Sequence, residues 1–249
     1  MHAACLLRPT FDPRELSSLR AAGNQVVADR VQLVKNEGDV RAVQLVKAAG
    51  APFHAVSVGE LDAISRVHLF VYGAQEVWEV GTTPSHDLDE TRVARLIAAQ
   101  VRRLDDVQLV AMGATEQDTG RAMLPGLVAA ELGWELFSHV VALRVEEQRA
   151  RVTQVTDGGT QEIDVALPIC VSADDACPIG RDPSDEYDLI EKLEKRTSRA
   201  VSMADLGLGT EESALPELST PPEREPQPVM ALGAESVAKV AEMLRRFQA

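Results

Sequence analysis

The chain has 249 residues, 45% of them hydrophobic but only 4% aromatic, which suits one large domain, or a domain with an appendage, built on an aliphatic core. A formal charge of −14 argues against nucleic acid and anionic membrane as partners and is compatible with an electropositive protein surface. The three cysteines form no CxxC pair, and neither an HExxH nor a GxSxG pattern occurs, so the composition points to a reducing compartment without metal or serine-hydrolase chemistry.

In chain order, Ala3 to Leu7 reads as a buried strand that Arg8, Pro9 and Pro13 break into a loop. Residues 24–35 alternate apolar and polar side chains, as a hairpin or a pair of edge strands would. A turn follows, in which either Asn36 or Asp39 is placed to cap a helix carrying Val40, Val43, Leu45 and Val46. Phe53 to Val58 is a second buried strand, and Leu61, Ile64, Val67 and Val71 mark a helix after it. Glu76 to Val80 is a short strand, 81–87 a polar loop, and Val93, Leu96, Ile97, Val101 and Leu104 a clean helical stripe.

The stretch that organises the chain is Val107 to Trp134. A short apolar run ends in a small-residue and polar loop from Gly113 to Gly120, and Met123, Leu124, Leu127, Val128 and Leu132 then recur at helical spacing. A strand that feeds a helix through a loop is a ready anion site, because the first helical N–H groups are free and the helix dipole favours negative charge. Thr119 is placed to cap that helix and to offer its hydroxyl to a phosphate. The loop is neither GxGxxG nor GxxxxGK[ST].

Beyond Trp134 the period changes to two over Phe137 to Leu143, Ala150 to Thr156 and Gln161 to Leu167, with a turn at Asp157-Gly158-Gly159. Ile169 to Ser172 returns as a buried strand. Asp182 to Ser184 opens a charged helix with Leu189, Ile190 and Leu193 on one side. Glu211 to Pro228, rich in proline and glutamate, reads as an extended arm ahead of a helix from Ala234 to Phe247 striped by Val237, Val240, Leu244 and Phe247. The alternation predicts an α/β fold with a mostly parallel sheet flanked by helices, an antiparallel hairpin extension and a C-terminal arm ending in a helix. The main domain is expected over residues 1–207 and the arm over 208–249.

The order of residues in the central loop resembles the adenine-nucleotide loop of the electron transfer flavoprotein beta subunit, the matching positions being Gly113, Gln117, Thr119, Gly120, Gly133 and Trp134. A second block matches at Asp157, Gly158, Gly159, Gln161, Ile163, Pro168 and Ser172. Weaker echoes lie at Asn36 and Asp39, at Ala55 to Gly59, and at Asp205-Leu206-Gly207.

The resemblance implies an electron-carrier subunit, not an enzyme, in a heterodimer with an alpha subunit. FAD would be held mainly by alpha, or shared with it, and a flavin-dependent dehydrogenase would donate the electrons. It implies a structural AMP in this chain and a location in the cytoplasm, or in the mitochondrial matrix of a eukaryote, without membrane insertion. Carried over residue by residue, the cofactor positions are Leu6, Asn36, Val58, Gly113, Gln117, Asp118, Thr119 and Gly120. Leu189, then Leu193, would anchor the dehydrogenase, unless both leucines simply pack their helix on the domain.

The chain also departs from the family. Its nucleotide loop is shorter, and Asp118 stands in place of a neutral Gln, where it would repel a phosphate. Pro125 falls inside the expected helix and should kink it. Gly38 replaces an aromatic, and Pro13 stands where a flavin-facing Tyr is expected. These departures favour an alternative, a nucleotide-free paralogue that keeps the fold and supports an alpha-bound FAD. A stand-alone ATP-binding enzyme of the same fold class is a third possibility, against which the missing Gly-rich loop counts.

Overall fold

The structure, a computed structural model, describes residues 1–15, 20–22, 25–27, 32–81, 88–180, 183–209 and 233–247. The chain falls into two compact units, Met1–Leu218 and Ser219–Ala249. The loop over 82–87, Asp182 and the Pro-rich stretch over 211–228 lie outside the described residues.

The first unit is built on a nine-stranded sheet. In chain order its strands are β1 (His2–Leu6), β6 (Phe53–Val58), β7 (Val77–Val80), β8 (Val107–Gly113), β9 (Glu135–Glu146), β10 (Arg149–Thr156), β11 (Gly159–Ala166), β12 (Ile169–Ala173) and β13 (Arg199–Val201). The intervening β2 (Pro9–Phe11) pairs with β5 (Leu33–Lys35), and β3 (Arg20–Ala22) with β4 (Gln25–Val27), as two small antiparallel sheets. In space the large sheet runs β11-β10-β9-β12-β8-β1-β6-β7-β13. Every pairing from β9 to β13 in that order is parallel, and β9, β10 and β11 form an antiparallel meander at one edge.

The sequence explains this arrangement directly. The central strands are apolar on both sides because helices cover both faces. Ala3, Cys5 and Leu7, with Phe53, Ala55, Leu109, Ala111, Ile169 and Val171, face one core, which α1 (Glu37–Ala48) and α2 (Ala63–Tyr72) cover. Ala4, Leu6, Val56, Val58, Val110, Met112 and Cys170 face the other, under α3 (Glu90–Val101) and α4 (Leu124–Leu132). With so few aromatics the strands use alanine and cysteine, and the helices come in close. Burial pushes the Cys170 thiol up to about 12 and raises those of Cys5 and Cys177 as well, so these cysteines are packing residues and not nucleophiles.

The α/β class, the parallel sheet and the antiparallel extension follow the sequence expectation. Several local expectations are corrected. Pro9 does not end the ordered chain, because it opens β2 and leaves its missing N–H at an edge. On α2 the buried positions are His68, Leu69, Phe70 and Tyr72, whereas Ile64 is 68% exposed. Pro125 does not kink α4, because the helix starts late and the proline lies in its first turn, where no N–H is needed. The terminal helix α6 (Ala234–Phe247), in the second unit, has the expected bounds, and Val237, Val240 and Leu244 on it are exposed. Asp182 lies outside the described residues; Pro183–Asp185 forms a 3-10 turn, and α5 (Tyr187–Leu193) begins only after it.

Candidate functional site

The sheet order reverses at β1. The chain moves outward on one side through β6 and β7, then crosses back to place β8 on the other side of β1. In open α/β sheets ligands bind at such a switch point, outside the carboxyl ends of the strands. Here that crevice is lined by Leu6 and Arg8 at the end of β1, Asn36 and Asp39 at the start of α1, and Gly113 to Glu116 at the end of β8, with Arg121, Leu124 and Pro125.

Asp39 holds the floor of the crevice together. It sits in the first turn of α1, 2% exposed, and its two carboxylate oxygens accept the Arg8 N–H at 3.0 Å and the Gly113 N–H at 2.8 Å. These backbone donors lie at the carboxyl ends of the two central strands, Gly113 closing β8 and Arg8 two residues past β1. Asp39 therefore ties strands to each other and does not cap the helix. Asn36 has the N-cap backbone position but makes no capping bond. Its amide donates to the Thr115 carbonyl at 3.2 Å, and its carbonyl accepts the Gln117 N–H at 3.3 Å. Burial raises the Asp39 carboxyl, and the Arg8 guanidinium and the two N–H donors work against that rise.

The first turn of α1 reaches the end of β8 only because both contact residues are glycines. A Cβ on Gly113 would stand 2.7 Å from the Gly38 carbonyl carbon and 2.8 Å from the Asp39 nitrogen. A Cβ on Gly38 would stand 3.1 Å from the Gly113 Cα. Position 38 therefore has no room for the aromatic that the family resemblance suggests. Gly113→Ala is expected to force α1 off the sheet and to lower unfolding free energy by about 1–3 kcal/mol or more. Chemical denaturation checks this, and an unchanged midpoint would show that α1 can move freely.

Above the floor lies a nearly dry ion network. The Arg8 side chain is 7% exposed; its guanidinium contacts a Glu116 carboxylate oxygen and approaches Glu90 at 3.7 Å. Glu90, at the start of α3, also faces Arg121 at 3.9 Å. Desolvation and the neighbouring Glu116 push the Glu90 carboxyl up to about 7, whereas Arg8 and the Thr119 hydroxyl, outweighing burial, hold Glu116 below its ordinary value. Because Glu90 is raised in the folded state, the stability it contributes is complete below the ordinary glutamate range and is lost as pH rises through about 7. Glu90→Gln is expected to remove that decline, at most about 3 kcal/mol, between pH ~4.5 and ~7. Denaturant titrations at several pH values measure it, and parallel pH curves for both proteins would contradict it.

The loop over Gly113 to Arg121 closes on itself and on β2. Thr119 lies five residues before α4 and its hydroxyl donates to Glu116 at 2.6 Å, so it does not cap that helix. Asp118 gives one oxygen to the Phe11 N–H at 3.0 Å and the other to the Thr119 N–H at 2.8 Å. Its carboxylate is thus engaged by backbone donors, not aimed at a phosphate. Gln117 donates to Thr10 Oγ1 at 2.9 Å and to the Lys35 carbonyl at 3.2 Å, and accepts the Glu37 N–H at 3.3 Å. Gly120 takes the left-handed conformation, with φ +67°, that tightens the turn.

The structure thus brings Leu6, Asn36 and Gly113 together on the crevice and places Gln117 to Gly120 in the loop above it. Val58 is not at the crevice; it is buried in the core under α3. Sequence reasoning missed Arg8, Glu90 and Glu116. The available signal was position: a charged residue directly after an apolar first strand falls at the mouth of a parallel sheet. On α5, Leu193 packs against the main core, whereas Leu189 is 40% and Tyr187 77% exposed.

An AMP implied by the family resemblance is poorly matched by these residues. The free volume in the crevice is about 10 Å³, room for one water at most, against the few hundred Å³ typical of small-molecule sites. The basic side chain at its centre is already engaged by a carboxylate, and Pro125 removes one of the N–H donors that the α4 N-terminus would offer. Among the described residues no cluster of His, Cys, Asp and Glu is arranged to hold a metal, and no helix is long and apolar enough to cross a membrane.

Fold and crevice together define a doubly wound α/β domain of the type that carries ligands at its switch point. The sequence model described as "Electron transfer flavoprotein domain" matches residues 20–177. Among curated proteins, the chain is similar to the "Electron transfer flavoprotein subunit beta" of Chromohalobacter salexigens, 28% identical over 67% of this chain and 62% of that protein. It is also similar to the "Probable electron transfer flavoprotein subunit beta" of Schizosaccharomyces pombe, 31% identical over 35% of this chain and 34% of that protein. The chain belongs to the electron transfer flavoprotein family and is of the beta type. It spans less than two thirds of the length of these curated relatives.

Proposed function

We propose that this chain is the beta subunit of a heterodimeric electron transfer flavoprotein, relaying electrons from a flavin-dependent dehydrogenase through FAD held mainly by an alpha subunit. The observation that carries this reading is the family match over residues 20–177, joined to two relatives that are both named as beta subunits. The chain would act as a carrier subunit without acid–base chemistry of its own. Its place would be the cytoplasm, or the mitochondrial matrix in a eukaryote. The exposed Leu189 is the anchor we assign to the dehydrogenase, with Tyr187 beside it; Leu193, which packs inward, serves the domain.

The reading has two forms, one with a structural AMP in the beta crevice and one without a nucleotide. The engagement of Arg8 by Glu116 favours the second. Co-expression with an electron transfer flavoprotein alpha subunit tests the proposal. A co-purifying, yellow complex whose flavin is reduced by a dehydrogenase is the expected result. A chain that purifies alone and never associates with a flavoprotein would refute it.

A further inference from the structure

We propose that the switch-point crevice of this chain is closed by its own Glu116 carboxylate, which takes the position on Arg8 that a nucleotide phosphate would take. The fold is then held by an internal anion and needs no adenine nucleotide. The inference deepens the beta-subunit reading and rests on it only for the identity of the ligand replaced.

Three observations converge on it. First, Glu116 comes from the loop after β8, the segment that resembles a nucleotide loop, and it turns back onto Arg8 at the end of β1. The Arg8 and Glu116 side chains are 7% and 8% exposed. A buried guanidinium needs an anion, and Glu116 supplies it from within the chain. Second, the contacts around Glu116 fix it in that place. The Thr119 hydroxyl donates to its second oxygen at 2.6 Å, the Glu116 N–H donates to the Arg121 carbonyl at 3.0 Å, and its carbonyl accepts the Gly120 N–H at 2.8 Å. The threonine whose place in the sequence suited a phosphate thus serves a carboxylate. Third, Glu90 stands 3.7 Å from the Arg8 guanidinium and touches Glu116, and the Asp39 carboxylate accepts the Arg8 N–H. A phosphate would have to enter among three carboxylates.

The test uses the full chain in complex with its alpha subunit. The complex is denatured and the released small molecules are quantified by mass spectrometry. The expected result is flavin without stoichiometric AMP, ADP or ATP. Adenine nucleotide at one per complex overturns the inference and leaves the proposed function standing. Failure of the chain to associate with any alpha subunit, with no nucleotide released from the chain alone, does the opposite. A gain-of-function arm uses the double variant Glu90→Gln/Glu116→Gln, which frees Arg8 from two carboxylates without emptying their space. Calorimetric titration with AMP and, separately, with inorganic phosphate is expected to show affinity at least about tenfold above the wild type for either probe. Equal affinity in both proteins counts against Glu116 as the stand-in. If the variant does not fold, the release assay on the wild-type complex decides alone.

Discussion

Replacing Arg8 with methionine is expected to lower unfolding free energy by about 3–5 kcal/mol near pH 7.5, the usual consequence of removing one partner from a buried ion pair. Methionine fills much of the same space, so the loss is electrostatic and not a cavity effect. The pH dependence identifies it. In the wild type Glu116 is held below its ordinary value, chiefly by Arg8, so its stabilisation is present at neutral pH and lost as pH falls through its folded value. Without Arg8 the burial of Glu116, and the closeness of Glu90, raise it instead. Its stability is then greatest below the ordinary glutamate range and disappears as pH rises. The deficit of the variant should therefore be smallest near pH 5 and largest above pH 7. Urea titrations across that range give the result, and a deficit independent of pH would show that packing, not charge, is what Arg8 provides.

Asp39→Ala is the second large effect. It leaves two buried N–H groups, those of Arg8 and Gly113, without acceptors. At about 1–3 kcal/mol for each unsatisfied group, the loss is about 2–6 kcal/mol. Asp39→Asn is expected to recover less than half of it, because an amide offers one acceptor and turns an NH₂ toward the other donor. Guanidinium denaturation with an unchanged slope and a lowered midpoint is the expected signature. Full stability of the asparagine variant would mean that one accepted bond is enough to hold the two strand ends.

The sheet was legible because buried parallel strands announce themselves. Runs such as Phe53 to Val58 and Ile169 to Ser172 have no polar face to hide, and Val93 to Val101 repeats at helical spacing. The loop was legible as a place but not as a device. Thr119, Gly120 and the apolar residues after them look like a helix start, yet the last turn before α4 is spent on closing the loop, and Pro125 then sets the first turn. Propensity alone gives no sign of such tertiary competition for N–H groups. Asp39 shows the same limit: its type and position suit a cap, and only the strand ends 31 and 74 residues away in sequence explain why it turns elsewhere. The ion network was hidden for a related reason. Arg8, Glu90 and Glu116 come from three separate elements, and no spacing along the chain relates them.

The place of β1 in the middle of the sheet also governs how the molecule must assemble. β1 leaves the ribosome before both of its neighbours: β6 over residues 53–58 on one side and β8 over 107–113 on the other. Until then a strand apolar on both faces has unpaired hydrogen-bonding edges, a state prone to association with other chains. Long-range parallel pairing of this kind is slow, since the entropy of closing the intervening loops is lost before the contacts are gained. The crevice belongs to the same late event, because Arg8 meets Glu116 only when β8 docks. Pulse-labelling by hydrogen exchange during refolding is expected to protect the amides of β1 and β8 together, with the Arg8 and Gly113 N–H groups among them, and not in the order in which the chain is made.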